Sequence, residues 1–335
     1  MTIPATMRTW LSDGDGPENL RMDEVPVPTP GDEELLLRVV ACGVCRTDLH
    51  VVGGDLALRK TPFVPGHEIV GQVAGVGRDV AGFAVGDRAG IAWLRSTCGA
   101  CEWCRRGAEN LCTRSEYTGW DHDGGYAEYA VAPAAYAYRV PEGIDALQMA
   151  PLLCAGIIGY RSLRRAAVPP GGSLGLYGFD ASAHLTIQVA LAQGTAVYVM
   201  TRDEAARRLA LELGVTWAGG AAEEPPVRLD SAIVFAPAGE LVPPALAALD
   251  QNGTVALAGI HLSDIPALNY QRHLFREKTL TSVTSNTRAD GEEFLRLAER
   301  LGVQATVTPD RFEAAQDALR DLADDHVRGV AVLQF

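Results

Sequence analysis

The chain has 335 residues, room for about two domains at roughly 150 residues each. Hydrophobic residues make up 47% and charged residues 21%, a balance that excludes a disordered chain and needs no disulfide frame. Acidic residues number 42 against 29 basic ones, a formal charge of −13, which argues against general phosphate-backbone binding and leaves room only for a local basic pocket.

The first residues, Met1 to Arg8, contain no apolar run of the signal-peptide kind. No stretch of about 18 apolar residues occurs further on. A cytoplasmic protein with neither membrane nor nucleic-acid partners is expected. Residues 20–95 are dense in Val, Gly and Pro, with short apolar runs such as 34–40. Gly71, Gly75, Gly77, Gly82 and Gly86 punctuate the stretch, which predicts short strands and tight turns in a barrel-like β domain.

Seven cysteines follow one another along the first half: Cys42, Cys45, Cys98, Cys101, Cys104, Cys112 and Cys154. An odd count without a secretory signal argues against a disulfide scaffold. Four of them form C-x2-C-x2-C-x7-C from Cys98 to Cys112, in a stretch with few apolar residues. Such a loop cannot fold on its own buried surface, and four thiolates on one tetrahedral zinc would hold it. A site closed by four cysteines is structural, because no coordination position stays open. Cys45, His67 and Cys154 make a second set. Two thiolates and one imidazole leave a fourth position free, which is the catalytic pattern.

From about residue 156 the texture changes. Strand candidates at 173–177, 196–200, 231–235 and 253–259 alternate with helical ones at 181–193, 204–213 and 241–249. That alternation predicts a parallel sheet with crossover helices. Its first strand-to-helix turn is the expected phosphate-binding site. Gly178 and Ala183 fill the first and last places of the G-x-G-x-x-G/A pattern, but Asp180 stands where the middle glycine belongs. An acid there also suits a helix start. At the end of the second strand Thr201 takes the place of the acid that would hold an NAD ribose, and Arg202 follows, which leans towards NADP. Amphipathic helices at 290–301 and 312–324 and a strand at 329–335 close the chain.

The chain resembles the zinc-containing alcohol dehydrogenases of the medium-chain dehydrogenase/reductase superfamily over essentially its whole length. Gly66-His67-Glu68-Ile69-Val70-Gly71, followed by Gly77 and Val80, matches the family's zinc signature at every spaced position. The four-cysteine lobe, the stretch Cys42 to His50 and the placement of Cys154 agree in order. The resemblance implies an α/β fold: a β-rich GroES-like catalytic domain (1–155 with 289–335) and a doubly wound Rossmann cofactor domain (156–288). It implies two zinc ions per chain, with Cys45, His67 and Cys154 on the catalytic one and Glu68 as an intermittent fourth ligand. Asp48 would fix the tautomer of His67, Thr47 would take the alcohol proton, and His50 would pass it to solvent. Arg46 would touch the cofactor diphosphate, Trp93 and Trp120 would lie near the substrate, and the chemistry would sit in the cleft between the domains. The implied reaction moves a hydride between an alcohol and NAD or NADP, in a homodimer or homotetramer paired through the edges of the cofactor-domain sheets.

Asp180 sets an alternative beside this. At about 5 Å and an effective dielectric near 20, its charge would oppose each unit of diphosphate charge by roughly 3 kcal/mol. The alternative is a zinc Lewis-acid enzyme on the same scaffold, doing redox-neutral lyase, cyclase or hydrolase chemistry with nicotinamide binding impaired.

Overall fold

A computed structural model describes residues 2–335. The chain divides into two compact units, Met1–Cys154 with Ser285–Leu295 and Ala305–Phe335, and Ala155–Thr284 with Arg296–Gln304.

The first unit is built on a seven-stranded sheet. The path runs Val307–Arg311, Val330–Gln334, Glu34–Val44, Glu68–Val76, Arg88–Ile91 and Ala137–Arg139, and Tyr129–Pro133 pairs with Glu34–Val44 off that path. Glu34–Val44 is the spine. Its run of Leu35, Leu36, Leu37 and Val39 is buried on both faces, so it reads as a continuous apolar stretch rather than an alternating one. Ile69, Ile91, Phe63 and Tyr126 complete the core around it. Register shifts between Leu36 and Leu37 and between Val39 and Ala41 bend the pairing with Glu68–Val76 and bring Gly43 opposite Glu68. Gly43 has a physical reason: a Cβ there would lie 1.8 Å from Glu68 Oε2.

The second unit carries a six-stranded, wholly parallel sheet. Its order is Trp217–Gly219, Ala196–Met200, Ser173–Tyr177, Leu229–Val234, Leu249–Leu257, Thr279–Ser282. Numbered by chain position that is 3-2-1-4-5-6, the doubly wound order whose switch point lies beside the first strand. Helices Ala181–Ala192, Glu204–Glu212 and Val242–Ala248 lie between strands, as the alternation predicts. The expected α/β fold with a β-rich unit and a Rossmann-type sheet is what the chain adopts.

Two details differ. The region expected as one helix at 312–324 begins as a 3-10 turn, Phe312–Ala314, before the helix Ala315–Ala323. The helix Arg288–Leu301 starts two residues earlier than expected, because Thr287 and Asp290 cap it reciprocally. The Thr287 N–H donates to Asp290 Oδ2 at 2.9 Å, and the Asp290 N–H donates to Thr287 Oγ1 at 3.1 Å. Among the described residues no helix is long and apolar enough to cross a membrane.

Candidate metal centres and cofactor turn

Cys45 stands at the mouth of the short helix Arg46–Val52 in extended backbone. Its N–H donates to Asp48 Oδ2 at 2.9 Å, which locks the turn that aims the thiol. The other oxygen of Asp48 lies 2.8 Å from His67 Nδ1, and both side chains are buried. An acceptor at Nδ1 puts the ring proton there and leaves Nε2 as a lone-pair donor. His67 Nε2 is buried with no hydrogen-bond partner. Glu68 Oε2 is likewise buried and unpartnered. Two such orphans side by side have a cost in a folded protein that a cation would remove.

Cys154 arrives from elsewhere in the chain. The helix Ala146–Pro151 widens into a π-turn, Leu152–Gly156, that carries it. Pro151 has no N–H to give to the preceding turn, which frees the register to widen there. Cys154 Sγ lies 4.0 Å from Cys45 Sγ. Tetrahedral zinc with Zn–S near 2.3 Å would set two sulfurs about 3.8 Å apart. Ligand atoms of Cys45, His67, Glu68 and Cys154 all fall within 4.8 Å of one another, so the set fits zinc in number, type and spacing.

The electrostatics agree with a site made for a cation. The hydrogen bond with Cys154, against the opposing effect of burial, holds the Cys45 thiol well below its ordinary range. The same pairing and burial push Cys154 up. Burial opposes a charge on His67, but the Asp48 carboxylate and the Cys45 sulfur outweigh it and raise the ring. Burial and the Cys45 charge push Glu68 up. Four ligands cannot all be in their binding forms without a compensating positive charge.

The Cys98, Cys101, Cys104 and Cys112 thiols also lie within 4.8 Å of one another. Backbone N–H groups point at the sulfurs: Cys101 N–H at Cys98 Sγ (3.3 Å), Arg114 N–H at Cys112 Sγ (3.4 Å) and Cys104 N–H at Cys101 Sγ (3.5 Å). The Ala100 and Cys101 amides lower Cys98 to about 6. The Cys104 amide would lower Cys101, but burial and the neighbouring sulfurs outweigh it and push that thiol up to about 11, so the four thiols do not all ionise together without a cation among them.

Beside His67 stands a stack of three aromatic rings. Trp93 meets the imidazole edge-on with centroids 5.0 Å apart. Trp93 stacks on Tyr117 at 4.9 Å and on Trp120 at 5.9 Å. Arg59 lies over Trp120 at 4.7 Å and pairs with Asp121 at 2.9 Å. Tyr117 and Arg59 escape a sequence reading, because only the fold brings them to Trp93 and Trp120. The structure joins Thr47 and Asp48 to the metal set on one helix, both buried. His50, at the end of that helix, is 2.9 Å from Asp55 through Nδ1. Arg46 is ion-paired with Asp325.

In the parallel-sheet unit, Gly178 follows the first strand with φ +94°, and a Cβ there would sit 2.6 Å from Ala236 N. Asp180 is the N-cap of helix Ala181–Ala192. At the end of the second strand Thr201 is buried, Arg202 is exposed, and the nearby acid Asp203 is engaged as the N-cap of Glu204–Glu212. Arg207, which the sequence reading passed over, donates to the carbonyls of Thr201 (2.9 Å) and Arg202 (3.2 Å).

The alcohol dehydrogenase GroES-like domain family matches residues 31–142, and the zinc-binding dehydrogenase family matches residues 183–300. A probable alcohol dehydrogenase of Mycobacterium tuberculosis (strain CDC 1551 / Oshkosh) is 55% identical over 337 residues, covering 98% of this chain and 97% of that one. This chain is a zinc-type medium-chain alcohol dehydrogenase. As a member of that family it is an oxidoreductase of the alcohol dehydrogenase and carbonyl reductase type, as the resemblance implies. An alcohol dehydrogenase of Geobacillus stearothermophilus is 34% identical over 325 residues, covering 94% of this chain and 96% of its own. Among solved structures, a cinnamyl alcohol dehydrogenase from Sorghum bicolor is 28% identical with a TM-score of 0.89, covering 98% of this chain and 97% of that one.

Proposed function

We propose that this dehydrogenase interconverts hydrophobic or aromatic primary alcohols and their carbonyl partners, with Cys45, His67 and Cys154 holding a catalytic zinc and Glu68 its exchangeable fourth ligand. The observation that carries it is His67: its Nδ1 is locked by Asp48, and its buried Nε2 has no partner and faces two thiols. When bound, the metal supplies a Lewis acid that lowers the pKa of an alcohol oxygen, as it lowers that of water from 15.7 to about 7. The nicotinamide supplies the hydride acceptor or donor.

The chain's own groups do the rest. Asp48 keeps the ring of His67 oriented and, in the neutral ring, holds the proton on Nδ1 so that Nε2 is the ligand nitrogen. Thr47, two residues on from Cys45, takes the substrate hydroxyl proton as it passes on its own. His50, with Nδ1 held by Asp55, passes that proton towards solvent through its other nitrogen. The Trp93–Tyr117–Trp120 stack gives a flat apolar wall beside His67, which favours planar substrates. Gly178 and the start of the helix that follows it would take the cofactor diphosphate. Thr201 and Arg202, with no free acid beside them, support NADP over NAD. Cys98, Cys101, Cys104 and Cys112 would hold the second, structural zinc.

Seven free thiols support a reducing compartment, the cytoplasm. The open sheet edge at Thr279–Ser282, with Tyr270 and Phe275 exposed in the segment leading to it, supports a homodimer or homotetramer. The redox-neutral alternative is favoured by one observation, the carboxylate of Asp180 in the cofactor turn.

The test is metal analysis of the purified protein together with turnover of a panel of aliphatic and aromatic alcohols with NAD and NADP. Two zinc ions per chain and NADP-dependent oxidation are expected, with His67→Ala losing one ion and all turnover. Zinc-dependent conversion of a substrate with no change in the nicotinamide would replace this reading by the alternative.

A further inference from the structure

The turn after strand Ser173–Tyr177 has the form of a diphosphate cradle. Gly178 bends it with φ +94°, and helix Ala181–Ala192 opens straight from it. N–H groups free at such a helix start are the donors that a phosphate takes. One of them is already in use: the Ala183 N–H donates to Asp180 Oδ1 at 2.9 Å. Asp180 has extended backbone, φ −111° and ψ −170°, the ordinary geometry of a capping residue. A carboxylate of the chain therefore already occupies one N–H of this helix start.

We propose that Asp180 is an internal competitor for the diphosphate, so that this chain binds its nicotinamide dinucleotide weakly and releases it readily. The inference rests on the reading of the protein as a nicotinamide-dependent dehydrogenase. To bind, the dinucleotide displaces the carboxylate from the Ala183 N–H and leaves it ionised beside two phosphates. Occupancy and charge act in the same direction. For one charge pair at about 5 Å and an effective dielectric near 20, the repulsion corresponds to roughly a hundredfold in affinity.

Asparagine and glycine separate the two effects. Asparagine caps a helix about as well as aspartate but carries no charge, and glycine removes the side chain at little cost to the helix. The experiment titrates NADH and NADPH into the zinc-loaded parent, Asp180→Asn and Asp180→Gly, following nicotinamide fluorescence, with thermal unfolding of each protein alone as the folding control. Asp180→Asn is expected to tighten binding about tenfold and Asp180→Gly up to about a hundredfold, with unfolding midpoints unchanged. Equal affinities for all three proteins would overturn the proposal and leave the dehydrogenase reading intact. Binding by none of them, Asp180→Gly included, would overturn both.

Discussion

Asp48 serves two neighbours with one carboxylate. One oxygen takes the Nδ1 proton of His67 at 2.8 Å, and the other takes the Cys45 N–H at 2.9 Å, with the Tyr126 hydroxyl at 3.4 Å. The residue therefore positions two metal ligands at once, from a buried place where water cannot substitute for it. Asp48→Asn keeps the shape but turns one acceptor into a donor, so either His67 or Cys45 then faces an N–H with its own N–H. Zinc affinity at the Cys45 site is expected to fall by about 10- to 100-fold. Competition with a chromophoric chelator measures this, and an unchanged affinity would remove Asp48 from the site. The short helix Arg46–Val52 left no pattern of its own. Thr47, Asp48 and His50, which it carries, were legible only through the resemblance, which fixes their distance from Cys45. Asp55, Arg59 and Tyr117 were not, since each meets its partner through a turn or a neighbouring ring that leaves no periodic trace.

Elements set the next level. The lobe of Cys98 to Cys112 holds only a four-residue helix, Glu102–Arg105, and a 3-10 turn, Glu109–Leu111, with Trp103 and Leu111 partly exposed. Little apolar surface holds it, so the thiol cluster must. Cys101→Ser is expected to reduce bound zinc from two ions per chain to one and to lower the unfolding midpoint by at least about 5 °C. Calorimetry with metal analysis decides it, and a variant that keeps both ions would show that the lobe does not need its fourth thiolate. Its cysteine spacing announced this element in advance. The π-turn Leu152–Gly156 was hidden, because Pro151 specifies a break but not the width of the turn that repairs it. Trp217–Gly219 and Thr279–Ser282 were also missed. These edge strands have three and four residues, too few to show a pattern of their own, and their neighbours in the sheet pin them.

At the scale of the whole chain, alternation of strand and helix was enough to read the doubly wound sheet, while the return of the C-terminal segments to the β-rich unit rested on resemblance. Its physical basis lies in long-range contacts. Val330–Gln334 pairs with Glu34–Val44, the Trp10 indole N–H donates to the Phe312 carbonyl at 2.9 Å, and Arg288 binds Glu109. The last of these ties the returning helix Arg288–Leu301 to the four-cysteine lobe. Glu109 Oε1 accepts from the Arg288 N–H at 2.8 Å, and Oε2 accepts from its Nη2 at 2.8 Å. Glu109 is only 11% exposed at its side chain, whereas Arg288 is 41% exposed and also lies over Tyr136. Burial would raise the Glu109 carboxyl, but the hydrogen bonds and charge of Arg288 outweigh it and hold the group below its ordinary value of 4.5. A carboxyl lowered on folding stabilises the protein above its unfolded value, and that contribution is lost as pH falls through the folded value. Glu109→Gln is therefore expected to cost about 1–2 kcal/mol near neutral pH, a figure reduced for the exposure of Arg288 to solvent. The difference should shrink as the pH is lowered below 4.5, because the parent then protonates the same group. Unfolding midpoints of parent and variant at neutral pH and in that acid range give the comparison. A gap that stays constant across the range would mean that Glu109 acts through shape and neutral hydrogen bonding, and that the charge on the pair contributes nothing to holding the C-terminal return in place.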